Sequence, residues 1–66
     1  MQVTINGEPH RPPGRISLAQ AVALLTSAPS GVAAAVNGDV IRRAAWDSTP
    51  LADGDEVEVL TAVQGG

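Results

Sequence analysis

Asp53-Gly54-Asp55-Glu56-Val57-Glu58-Val59-Leu60-Thr61-Ala62-Val63-Gln64-Gly65-Gly66 is the stretch whose reading decides the fold. Asp53-Gly54-Asp55 is a turn signal, because Asp and Gly accept the tight backbone conformations that reverse a chain. Behind it the residues alternate. Val57, Val59, Thr61 and Val63 share one face of an expected strand over 56–63, and Glu56, Glu58, Leu60 and Ala62 share the other. The β-branched face is the one expected to meet a core. Leu60 and Ala62 are then left on the open face of a sheet, and residues 63–66 read as an extended tail.

Working outward, Gln2-Val3-Thr4-Ile5-Asn6 alternates in the same way and runs into Asn6-Gly7, a pair that favours a tight hairpin. The returning segment, Glu8 to Arg15, contains Pro9, Pro12, Pro13 and Gly14. Proline cannot donate to a ladder, so this segment is expected to be a short, irregular edge. Ser17-Leu18-Ala19-Gln20 reads as a capping box. Leu18, Ala21, Val22 and Leu25 then form one apolar stripe of an amphipathic helix, which Pro29 is expected to end. Val32, Ala34 and Val36 alternate into a second turn at Asn37-Gly38, and Val40-Ile41 returns from it. Arg42 to Pro50 has no clear period and reads as irregular or as a short helical turn. One helix can cover only one face of a small sheet. The expectation is therefore an α+β fold, with four to five strands packed on one helix in a single domain over 1–66.

Composition narrows the function. The 66 residues include no Cys, which excludes a disulfide framework, a thiolate metal site and a Cys nucleophile, and suits the reducing cytoplasm. No stretch approaches a membrane span. Net charge is −3, and the cations are only Arg11, Arg15, Arg42 and Arg43, too few and too scattered for nucleic acid. The lack of Lys removes a Schiff-base nucleophile and any self-acceptor for an isopeptide bond. His10, among prolines, reads as a solvated loop residue rather than a general base. Asp53, Asp55, Glu56 and Glu58 lack the ligand spacing of a calcium loop and read as a turn and a solvated strand face. No metal site is expected.

The run Val36-Asn37-Gly38-Asp39-Val40-Ile41-Arg42-Arg43-Ala44-Ala45-Trp46 resembles the thiamin-pathway sulfur carrier family. Leu51 to Val59 is similar to that family's turn and last strand, and Thr61-Ala62-Val63-Gln64-Gly65-Gly66 to its ending. Arg42 departs from the pattern, since the family often has Pro there, while Arg43 and Trp46 match. The resemblance implies the ubiquitin-like β-grasp fold. It also implies that the chain is no enzyme but a protein co-substrate, with no cofactor of its own. ATP and magnesium are used by a ubiquitin-activating-like adenylyltransferase, which adenylates the Gly66 carboxylate. A sulfur donor system converts the adenylate to a thiocarboxylate, and thiazole synthase takes the sulfur into the thiazole of thiamin.

The residues suit that task. Gly65 and Gly66 have no Cβ, so the last peptide can thread a narrow passage with either sign of φ. From Thr61 the last six residues reach at most about 20 Å. Partner contacts are expected along Leu60, Ala62, Val63, Gln64 and Gly65, with Glu56 and Glu58 favouring a basic docking surface. Trp46 reads as a cap on the core edge, with an interface anchor as the alternative, and no role for Arg43 follows from the sequence. A molybdopterin-type sulfur carrier, a ubiquitin-like modifier joined through Gly66 and a passive β-grasp module are the alternatives. Ala62-Val63-Gln64 fits the thiamin group better than the proline-containing approach of the molybdopterin group.

Overall fold

In a computed structural model that describes residues 1–26 and 31–61, two hairpins flank a central strand. Strand β1 (Val3–Ile5) turns at Asn6-Gly7 into β2 (Glu8–His10), with Val3 opposite His10 and Ile5 opposite Glu8. Strand β3 (Val32–Val36) turns at Asn37-Gly38 into β4 (Asp39–Ile41), with Val36 opposite Asp39. Both turns have positive φ at both central residues: 52° and 83° at Asn6 and Gly7, 50° and 88° at Asn37 and Gly38. That is the type I′ geometry, whose twist matches the strands and which Asn-Gly adopts at least cost.

Strand β5 (Glu56–Thr61) lies between the hairpins, and the sheet order is β2-β1-β5-β3-β4. It pairs with β3 antiparallel along its length, from Val36 opposite Val57 to Val32 opposite Thr61. With β1 it pairs parallel, Thr4 beside Glu56 and Ile5 beside Val57. The observed strand stops at Thr61, and Ala62 and Val63, expected to continue it, lie outside the described residues. The proline-bearing edge is shorter than its expected span of Glu8 to Arg15, since β2 ends at His10 before Pro12 and Pro13.

Helix α1 (Leu18–Leu25) covers one face of this sheet. Its capping box is complete: Ser17 Oγ accepts from the Gln20 amide at 3.2 Å, and Gln20 Oε1 accepts from the Ser17 amide at 2.8 Å. Leu18, Ala21 and Val22 enter the core, but Leu25 is 42% exposed. The helix terminates at Leu25, and Thr26 leaves it in an extended conformation three positions before Pro29. The stripe thus loses its fourth member.

The core lies between α1 and the inward faces of β1, β3 and β5. Val3, Ile5, Ala34, Val57 and Val59 project from the sheet onto Leu18, Ala21 and Val22, and Leu51 and Trp46 close the cluster. Burial of each of the larger aliphatic chains contributes about 1.5–3 kcal/mol. Within Arg42 to Pro50 the chain makes the short helical turn expected there, a 3-10 turn over Arg43–Ala45, which seats Trp46. The indole Nε1 donates to the Ile41 carbonyl at 2.8 Å, and the Arg43 guanidinium lies 5.7 Å from the ring centroid. Trp46 is therefore a buried cap on the core edge, and Arg43 acquires a role in covering it.

Candidate functional site

The residues expected to act stand at the end of β5, so the site is best built from that strand. Its inward residues, Val57 and Val59, are 1% and 5% exposed, whereas Leu60 on the opposite face is 70% exposed. Leu60 is thus held by a strand that is fixed on both flanks. On one flank is the full β3 ladder. On the other, β1 has ended by Asn6, and the Asn6 side chain takes over: its Oδ1 accepts from the Val59 amide at 2.8 Å and its Nδ2 donates to the Val59 carbonyl at 3.1 Å.

Asn37 does the corresponding work where β5 begins. Its Oδ1 accepts from the Glu56 amide at 2.9 Å, and its Nδ2 donates to Asp55 Oδ1 at 3.1 Å. The Asp53-Gly54-Asp55 turn is also tied down. Asp53 Oδ1 accepts from the Gln2 amide at 2.7 Å, Asp55 Oδ2 accepts from the Ala52 amide at 2.8 Å, and Gly54 has φ 90°. These acids hold backbone amides, which explains their spacing without a cation. Among the described residues no group of three or more His, Asp or Glu is placed to hold a metal.

The open face of the sheet is apolar along its middle. Val40, 78% exposed, stands across Ala35 from Glu58, and Leu60 stands opposite Ala33. The two small alanines leave a shallow trough lined by Ala33, Ala35, Gly38, Val40, Glu58 and Leu60. A second hollow, formed by Gly31, Val32, Ala33 and Thr61, lies beyond Leu60, which stands as a ridge between the two.

Of the expected site residues, Leu60 is therefore exposed on the open face beside Ala33, as its alternation requires. Ala62, Val63, Gln64, Gly65 and Gly66 lie outside the described residues. Ala33, Ala35 and Val40 complete the trough and were not singled out in the sequence. The signal for the alanines was available, because they are the odd members of the run Val32 to Val36 whose even members face the core. His10 lies on the edge strand expected for its segment, but it is not the solvated residue expected there. It belongs to β2 opposite the buried Val3, it is half-buried, and its Nε2 is buried without a hydrogen-bond partner among the described residues. Among the described residues no carboxylate is hydrogen-bonded to that nitrogen, and His10 stands at the other edge of the sheet from β4.

The profile of the ThiS family matches residues 3–66, nearly the whole chain and all of its C-terminal segment. The chain belongs to the ThiS family. Solved structures agree. A crystal structure of the thiamine biosynthesis protein ThiS from Geobacter metallireducens is 35% identical, superposes with a TM-score of 0.78 and is covered end to end, as is this chain. A solution NMR structure of a thiamine biosynthesis protein from the same organism is also 35% identical, with a TM-score of 0.79. That match covers 100% of this chain and 88% of that one. No curated protein gives a significant match. The five-stranded mixed sheet on one helix is thus the β-grasp arrangement of ThiS proteins, and the sheet and helix bear out the expected α+β class. No helix among the described residues of this ThiS-family chain is long and apolar enough to cross a membrane.

Proposed function

We propose that the chain is the sulfur carrier protein of thiamin biosynthesis and that the Gly66 carboxylate is the group that changes covalently. The observation that carries this reading is the family match, which runs unbroken from β1 through Gly65-Gly66. The fold supports it, since the segment bearing Gly66 follows directly from the most enclosed strand of the sheet.

A carboxylate is ionised at neutral pH and is a poor electrophile. In the proposed sequence a Gly66 carboxylate oxygen attacks the α-phosphorus of ATP on a ubiquitin-activating-like adenylyltransferase, and pyrophosphate leaves. A sulfur nucleophile from a donor system then attacks the acyl carbon, and AMP leaves. Where that sulfur is the outer atom of a donor persulfide, a thiol reductant cleaves the resulting acyl disulfide and is itself oxidised to a disulfide; the donor leaves as a thiolate and Gly66 carries a thiocarboxylate. Thiazole synthase takes that sulfur into the thiazole ring. ATP and its magnesium belong to the activating enzyme. This chain acts as a protein co-substrate, and its work is to present an activatable end on a rigid body. The Leu60 ridge, with Ala33 and Val40, is the apolar contact offered to partners; Glu56 and Glu58 suit a basic rim.

Intact-mass spectrometry of the protein isolated from its own host under reducing conditions tests this. The expected result is a species heavier by one oxygen-to-sulfur exchange, localised to Gly66 by fragmentation. High-mass conjugates that survive boiling and reductant would instead identify a modifier. Transfer of the sulfur to a molybdopterin precursor in place of thiazole would identify the molybdopterin-type carrier.

A further inference from the structure

The chain has two asparagines, Asn6 and Asn37, and each is followed by glycine. Their local sequences nearly coincide, Ile5-Asn6-Gly7-Glu8 against Val36-Asn37-Gly38-Asp39. Asn-Gly is a reactive context for loss of the side-chain amide, because glycine has no Cβ to keep its nitrogen from the neighbouring side-chain carbonyl carbon. Among the described residues a Cβ added at Gly7 or Gly38 would meet nothing within 4 Å, so the surroundings block that approach at neither turn. The main chain is also anchored alike: the Asn6 amide donates to the Val57 carbonyl at 2.9 Å, and the Asn37 amide to the Glu56 carbonyl at 2.7 Å.

What differs is the hold on each side-chain amide. Reaction requires that group to leave its partners and swing onto the following backbone nitrogen. At Asn6 both partners are main-chain groups of Val59, a core residue in the interior of β5, and both bonds are partly buried. At Asn37 both bonds are exposed. Nδ2 donates to the Asp55 side chain, in the turn ahead of β5, and Oδ1 accepts from the amide of Glu56, the strand's first residue. Departure of the Asn37 side chain leaves groups that water can satisfy. Departure of the Asn6 side chain strands both polar groups of a buried residue, which costs more.

We propose that Asn37 is a site of spontaneous deamidation in the folded chain, and that Asn6 is shielded by its bonds to Val59. The Gly38 nitrogen, losing its proton to hydroxide, attacks Cγ of Asn37; the side-chain nitrogen leaves as ammonia and a cyclic imide remains. Water opens the imide at one carbonyl to give aspartate. At the other it gives isoaspartate, in which the main chain runs through the former side chain. One water is consumed and one ammonia released, with no change of oxidation state. Either product loosens the start of β5. Aspartate sets a carboxylate oxygen against Asp55 Oδ1, where Nδ2 stood at 3.1 Å, and like charges repel. Isoaspartate lengthens the turn and withdraws the acceptor from the Glu56 amide.

The test is incubation of the full-length chain in warm, mildly alkaline buffer, folded and in denaturant. Intact-mass spectrometry with fragmentation then places each amide-to-acid exchange at residue 6 or 37. In the folded chain Asn37 is expected to react at least about fivefold faster than Asn6, a ratio within reach of the differing hydrogen-bond costs. In denaturant the two rates should agree within about twofold, because the sequence contexts match and the fold no longer distinguishes them. The deamidated chain should also melt at a lower temperature than the unreacted one. Equal folded rates, or a faster Asn6, overturn the proposal. So does a folded chain that keeps both amides while the denatured chain loses them. A disparity undiminished in denaturant overturns it too, since local sequence and not the fold would then set the order. Equal melting of reacted and unreacted chains would overturn the loosening of β5.

Discussion

Asn6 and Asn37 hold the same station in their two hairpins, each the first central residue of a type I′ turn and each with its side chain against β5. At Asn6 the amide group stands in for the peptide that β1 no longer supplies, satisfying both the N–H and the C=O of Val59. Replacing Asn6 with Gly keeps the positive φ and removes both bonds, so urea unfolding should show a loss of about 2 kcal/mol. Asn6→Asp should fall between the two, since a carboxylate still accepts from the Val59 amide but faces its carbonyl. A Gly variant as stable as wild type would show that the side chain only shapes the turn. The sequence makes the turn legible, because Asn-Gly announces positive φ. It conceals the second use, because Asn6 and Val59 are 53 positions apart and no local pattern encodes that neighbourhood. Trp46 was easier to read: a lone aromatic in a chain of small aliphatics is too large to leave at a core margin uncovered. His10 was harder, because its half-burial follows from facing Val3 across the β1–β2 ladder and not from the prolines around it.

At the scale of elements, β5 is the part most clearly written in the sequence. Its period of two assigns Val57 and Val59 to the core and Leu60 to the open face, and the exposures follow that assignment. Thr61 lies on the inward side of the strand yet is exposed; β1 has already ended, and among the described residues only Val32 pairs beside it. Replacing Leu60 with Asp should change stability by no more than about 0.5 kcal/mol, since an exposed side chain gives up little packing. The same variant should bind the activating enzyme much more weakly in a direct titration. A large drop in the unfolding midpoint would mean that Leu60 holds the fold together. Helix α1 shows where pattern reading stops. Its start is chemical, fixed by Ser17 and Gln20, and is legible. Its last turn depends on how far the sheet extends beneath it, so Leu25 fits the stripe but lies outside the core cluster. Ser17→Ala should cost about 1 kcal/mol in thermal or urea unfolding, and Ser17→Asp much less, because only the latter retains an acceptor for the first-turn amides.

For the whole molecule, stability and reactivity are expected to separate. Among the described residues the buried cluster spans residues 3–59. Deleting Gly66, or adding a residue after it, should therefore shift the unfolding free energy by less than about 0.5 kcal/mol while abolishing thiocarboxylate formation in the mass assay. A marked loss of stability on deletion would show that body and tail are not independent. Neighbouring elements were legible one by one, but the strand order was not, because placing β5 between the hairpins is a long-range choice made by the shared core. That order has a mechanical consequence. The first and last strands, β1 and β5, lie side by side and run parallel. A force that pulls the two chain ends apart thus slides one strand along the other and strains their hydrogen bonds together rather than one after another. An unfoldase tugging at the tail would meet the sheet in shear, its stiffest direction, and the protein should withstand traction far better than its few kilodaltons suggest.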